Sequence, residues 1–68
     1  MINHIVQLES RNKVTYQVYY DSGRRICYGT NDDLPLSVLN FLLNSEVTTE
    51  YHSASEFHPA VKITRYHK

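Results

Sequence analysis

Val14-Thr15-Tyr16-Gln17-Val18-Tyr19-Tyr20 carries the clearest β signal in the chain. Val14, Tyr16, Val18 and Tyr20 alternate strictly with Thr15, Gln17 and Tyr19, the two-residue period of a strand that buries one face. Asp21-Ser22-Gly23-Arg24 follows as a tight connection, in which Gly23 supplies the positive φ that hairpin loops need. Ile26 and Tyr28 continue the apolar face in a returning strand. Upstream, Ile2 to Leu8 alternates loosely, with Ile2, Val6 and Leu8 on one side and Ile5 on the other. Glu9-Ser10-Arg11-Asn12-Lys13 then reads as a polar turn. The first half predicts a three-stranded antiparallel meander.

The period changes after Gly29. Thr30, Asn31, Asp32 and Asp33 are all helix N-cap types, and Pro35 fits a first helical turn. Leu36, Leu39 and Leu43, with Val38 and Leu42 beside them, recur at helical spacing. Asn44-Ser45 is a natural stop, so the pattern predicts one amphipathic helix of about three turns, packed on one face of the sheet. Asp32 and Asp33 are expected at its positive end. Val47, Thr49 and Tyr51 alternate as a short strand. Ser53-Ala54-Ser55-Glu56 has capping-box spacing, but Pro59 forbids a helix of any length, so 53–59 reads as a loop. Ala60 to Tyr66 is a last strand, with Val61 and Ile63 inward and Lys62, Thr64 and Tyr66 outward. The expectation is a single α+β domain over residues 1–68, with a three- to five-stranded antiparallel sheet in the order βββα(β)β.

A chain of 68 residues folds with little stability to spare. Six Tyr and two Phe, with no Trp, predict a core finished by rings whose hydroxyls reach the surface. Self-association would help so thin a core, and a homodimer follows as an expectation. The single Cys27 forbids an internal disulfide. The start, Met1-Ile2-Asn3-His4, lacks a leader pattern, and the longest apolar run, Phe41-Leu42-Leu43, is far too short to span a bilayer. A soluble, cytoplasmic protein without membrane contact is expected.

The formal net charge is zero, yet the charges are segregated. Every Lys and Arg precedes Gly29 or follows Val61. Between them lie Asp32, Asp33, Glu46, Glu50 and Glu56 with no basic residue. Separated charge is a basis for partner choice and fast encounter. Carboxylates along such a segment compete for grooves that normally take phosphates, because Lys and Arg meet both. The first expectation is therefore a non-enzymatic protein-binding module for a partner with a basic surface. Its contacts are assigned to Asp32, Asp33, Glu46, Glu50 and Glu56, with Tyr19, Tyr51 and Phe57 as anchors, since tyrosine is favoured at interface hot spots.

Other constellations are weaker. His52, Glu56 and His58 have the only suggestive metal spacing, and it lacks the paired short spacings of a structural zinc site. Cys27 sits mid-strand beside Arg25, which could activate it, but no partner base is evident. No catalytic residues, metal or cofactor are expected. A nucleic-acid alternative uses Arg11, Lys13, Arg24 and Arg25 with Tyr19, because a sheet bearing rings and arginines can stack bases and hold phosphates. The balanced charge, pI ≈ 6.9, counts against it, as do Tyr16, Tyr20 and Tyr28 on the phases expected to face the helix. A second alternative is a self-assembling structural component, in which edge strands pair between copies.

The short chain, the bare α+β unit, the missing catalytic motif and the acidic segment from Asp32 to Glu56 resemble the small accessory proteins of phages and mobile elements, the anti-CRISPR proteins among them. That class shares no sequence signature, so no residue role carries over. The resemblance implies a mode of action: antiviral-defence evasion by docking on a host nucleic-acid-handling complex and blocking a nucleic-acid site or subunit contact, in the host cytoplasm.

Overall fold

A computed structural model describes all 68 residues. The elements are β1 (Ile2–Ser10), β2 (Lys13–Tyr20), β3 (Arg25–Tyr28), α1 (Leu36–Leu43), β4 (Glu46–His52) and β5 (Val61–His67). The five strands form one sheet in the order β3-β2-β1-β5-β4, with every neighbouring pair antiparallel. The expected α+β class and strand succession hold, including the strand of the third quarter. Both chain ends lie in the middle, where β1 pairs with β5. Because β3 and β4 are opposite edges, the segment joining them must cross one face of the sheet. That segment contains α1.

The crossing helix covers little. Its eight residues span about 12 Å, two turns rather than the three that the leucine spacing predicts. Only Val38 on it is fully buried, and it joins Ile2, Ile5 and Val18 to form the whole apolar core. Tyr16, Tyr20, Tyr28, Tyr66, Leu34, Phe41 and Leu42 pack around that cluster as a half-buried rim. The tyrosine-finished core is present.

Two strands face differently from the sequence reading. In β1 the register with β2 slips between Ile2 and His4, so Asn3 is accommodated as a bulge. A bulge shifts the phase by one residue. Ile2 and Ile5 therefore share the helix side, opposite Tyr20 and Val18, and Val6 and Leu8 lie on the uncovered side. In β5, Tyr66 stands opposite Ile5, and Thr64 opposite Gln7, on the helix side. Val61 and Ile63 lie on the open face instead, with Ile63 opposite Leu8. Both phases of β5 hold bulky residues, and pairing with β1 selects between them.

The first turn is tighter than the sequence predicts, and the second spans residues 21–24 as expected. Ser10 pairs with Lys13, leaving Arg11 and Asn12 as the connection, with Arg11 at φ 49°. Gly23 sits at φ 90°, where a side chain would be strained, and its N–H donates to the Tyr20 carbonyl at 2.9 Å.

Candidate functional site

β4 is the exposed outer strand. All seven residues from Glu46 to His52 are solvent-accessible, and their register against β5 runs without a break. Val47, Thr49 and Tyr51 share the helix side, opposite Tyr66, Thr64 and Lys62, but α1 does not reach them. Val47 is 54% and Tyr51 76% exposed, large values for apolar groups on a strand. The Lys62 ammonium lies 5.8 Å from the Tyr51 ring centroid, a cation–π contact at the surface. Glu46, Thr48, Glu50 and His52 point to the open face.

The carboxylates do not form one patch. Glu50 is paired with Arg65 across the β4–β5 ladder and lies 3.2 Å from His52 Nε2, so its charge is met inside the chain. Glu46 lies 4.0 Å from His67 Nδ1, an attraction only when that ring is protonated, and its side chain is otherwise open. Asp32 does not cap the helix: its Oδ2 accepts the Gly29 N–H at 2.7 Å, closing the turn that leaves β3. The N-cap is Pro35, with no side-chain bond, and no acid stands in the first helical turn. Asp33 is exposed nearby. Asp32 and Asp33 lie in the segment that leaves β3, one edge of the sheet, whereas Glu46 and Glu50 stand on β4, the opposite edge.

The loop after β4 carries Glu56 and Phe57. Phe57 is 83% exposed, and Ser55 steadies the loop by donating its N–H to the His58 carbonyl at 2.8 Å while its Oγ accepts the His58 N–H at 3.2 Å. Residues 54–59 and Arg11 line a shallow, open groove. Glu46, Glu50, Tyr51, Glu56 and Phe57 thus belong to one continuous segment, and Asp32, Asp33 and Tyr19 lie elsewhere.

The basic and aromatic set is also divided. Tyr19 is half-buried on the open face, stacked on His4 with centroids 4.4 Å apart and planes 10° from parallel. Its hydroxyl donates to Gln17 Oε1 at 3.0 Å. Arg25 stands opposite Tyr19, and hydrogen bonding to Tyr19, with a smaller contribution from Cys27, raises its pKa above the ordinary value. Arg24 lies in the adjoining turn. Lys13 sits at the far end of β2, six residues or about 20 Å from Tyr19, and Arg11 lies beyond it in the turn. Tyr16, Tyr20 and Tyr28 face the helix side, as their phases predict.

Cys27 is exposed on β3, opposite Gln17, with no histidine or carboxylate hydrogen-bonded to it. His52, Glu56 and His58 are not drawn together: no three His, Cys, Asp or Glu side chains are grouped to hold a metal ion. Val47, the most exposed apolar residue on β4 after Tyr51, was absent from the sequence-derived site. Its phase in Val47-Thr49-Tyr51 marks it as an apolar partner of Tyr51, but alternation alone does not say that the helix stops short of it. No helix is long and apolar enough to cross a membrane. No protein-family model, curated protein or solved structure matches the chain, so the site stands on its own geometry.

Proposed function

We propose that the chain is a non-enzymatic protein-binding module whose recognition segment runs from Glu46 to His58, and that it acts as a small inhibitor docked on a basic surface of a nucleic-acid-handling complex. The observation that carries this reading is the exposure of that segment. It offers a bare strand edge, two large apolar anchors in Tyr51 and Phe57, and the open carboxylates Glu46 and Glu56. Apolar anchors ringed by charge are the composition of a protein interface. The grooves at this surface are shallow and open, unlike the concave, largely apolar sites that bury small molecules.

The useful charge reversals are those whose carboxylates have no structural duty. Asp32 holds a turn and Glu50 holds Arg65, so Asp33, Glu46 and Glu56 are the residues to change. Affinity capture from a host lysate with the wild type is expected to retain a nucleic-acid-handling complex. The variant Glu46→Lys/Glu56→Lys should lose it, and Asp33→Lys, in the segment that leaves β3, should keep it. Identical retention by all three chains removes the reading.

A second reading is favoured by one observation, the His4–Tyr19 stack beside Arg25 on the open face. A flat pair of rings next to a guanidinium is a place where a single-stranded base can stack. Titration with single-stranded RNA at low and moderate salt separates the two: steep salt dependence that Arg25→Ala abolishes supports it, and no binding at low salt ends it.

A further inference from the structure

We infer that β4 pairs with β4 of a second copy, antiparallel and about a two-fold axis through Thr49, joining two sheets into one of ten strands. The inference concerns the same segment as the protein-binding reading and names one occupant of its backbone edge, another copy of this chain.

The first ground is the edge itself. An outer strand leaves a row of N–H and C=O groups unpaired, and proteins blunt such edges with short strands, charged side chains (Lys above all), Pro or bulges. β3, at the other edge, is blunted: it has four residues and carries Arg25. β4 has seven residues, an unbroken register, and neither Lys nor Pro nor a bulge; its two charges, Glu46 and Glu50, both lie on the open face, and Glu50 is paired with Arg65. Both of its exposed apolar side chains, Val47 and Tyr51, lie on one face.

The second ground is that the strand is complementary to itself in one register. Centred on Thr49, antiparallel pairing sets Glu46 opposite the partner's His52, Val47 opposite the partner's Tyr51, and Thr48 opposite the partner's Glu50, each twice by symmetry. An acid meets an imidazole, an aliphatic group meets a ring, and a hydroxyl meets a carboxylate. Opposed pairs of these kinds stabilise sheets, whereas like charges destabilise them. Sliding by two residues, which keeps both helices on the same side, is penalised in either direction. One slip opposes Glu46 to the partner's Glu50 twice, and the other opposes Glu50 to the partner's Glu50. Arg65 and His52 offset part of the Glu50 charge within each copy, and the Thr49-centred register is the one of these three that sets no carboxylate against a carboxylate.

The test is a suppressor pair read by sedimentation equilibrium on the full chain. The wild type is expected to move from a species of 8.0 kDa towards one of twice that mass as concentration rises from micromolar to several hundred micromolar. His52→Glu opposes acid to acid at both symmetric positions and should weaken the dimer at least tenfold. Adding Glu46→Lys to His52→Glu should restore it. Residues 46 and 52 lie six residues or about 20 Å apart in one strand, so that rescue cannot arise within a single copy. Circular dichroism of each variant checks that the fold is retained. A wild type that stays monomeric overturns the inference. So does a dimer indifferent to His52→Glu, or a loss that Glu46→Lys does not repair. A monomer that still captures its host complex leaves the protein-binding reading standing.

Discussion

Val38 shows how much rests on single side chains. It is the only helix residue with no solvent exposure, and it contacts a core of just three other buried apolar groups. Val38→Ala should cost about 2 kcal/mol from the lost methyl groups and the space they leave. In a domain this small that is a large share of the total. Denaturant unfolding should show a lower midpoint with an unchanged slope, because the exposed surface is nearly the same. Tyr66 makes a second residue-level prediction. Its hydroxyl donates to Gln7 Oε1 at 2.7 Å, and burial, with the neighbouring Tyr16 and Glu9, raises its pKa. The folded state holds the phenolic proton more tightly than the unfolded state, whose tyrosines titrate at about 10. Its contribution is therefore complete below that value and lost as pH rises through the higher folded value. Stability measured at pH 8 and pH 10.5 should fall for the wild type and fall less for Tyr66→Phe.

At the scale of elements, the helix is the weakest part. α1 has no side-chain cap, no acid in its first turn and no basic residue in its last. Leu36 is 72% exposed in that first turn. Leu36→Glu should stabilise the protein by about 0.5 kcal/mol through the helix dipole, seen as a small rise in melting temperature. A fall would mean that Leu36 is covered by something. The helix also illustrates what the sequence could and could not reveal. β2 and β3 were plain because period-two alternation is strict there and Gly23 marks the turn. The strand at 47–51 was legible for the same reason. The facing of β1 was hidden by the Asn3 bulge, which leaves no mark in composition. That of β5 was hidden because Val61 and Ile63 compete with Tyr66 for the same side. Asp32 looks like a cap by type and position, but a closer donor, the Gly29 N–H, claims it. The Glu50–Arg65 pair spans a hairpin, so it exists only once the β4–β5 register is known. The recognition segment was half visible: its acids and rings stand in the sequence, but its bareness follows from strand order.

The whole molecule is an open sheet rather than a closed sandwich. One face is crossed by a two-turn helix, and the other, with Val6, Leu8, Val61 and Ile63 at its middle and Glu50, Arg65 and His67 around them, has no second layer. Segregation of charge along the sequence is therefore not segregation across the body: Arg65 and His67 sit beside the acids of β4. If two copies join along β4, folding and association are linked by mass action. The melting temperature should rise with protein concentration for the wild type and be flat for His52→Glu, which differential scanning fluorimetry from about 5 to 500 μM can read. The protein's resistance to heat then becomes a property of its abundance.

The pairing of β1 with β5 sets the order of assembly. His4 stands opposite His67 and Glu9 opposite Lys62, so the central seam joins the two ends of the chain, and β4 has no neighbour except β5. The meander of β1, β2 and β3 can close early through local contacts, whereas the seam must wait for a long loop to be gathered in. During that interval β1 is itself an unsatisfied border, decorated with Ile5, Val6 and Leu8. A crowded refolding mixture would meet that border before the correct strand does, which makes dilution the natural remedy for low refolding yield.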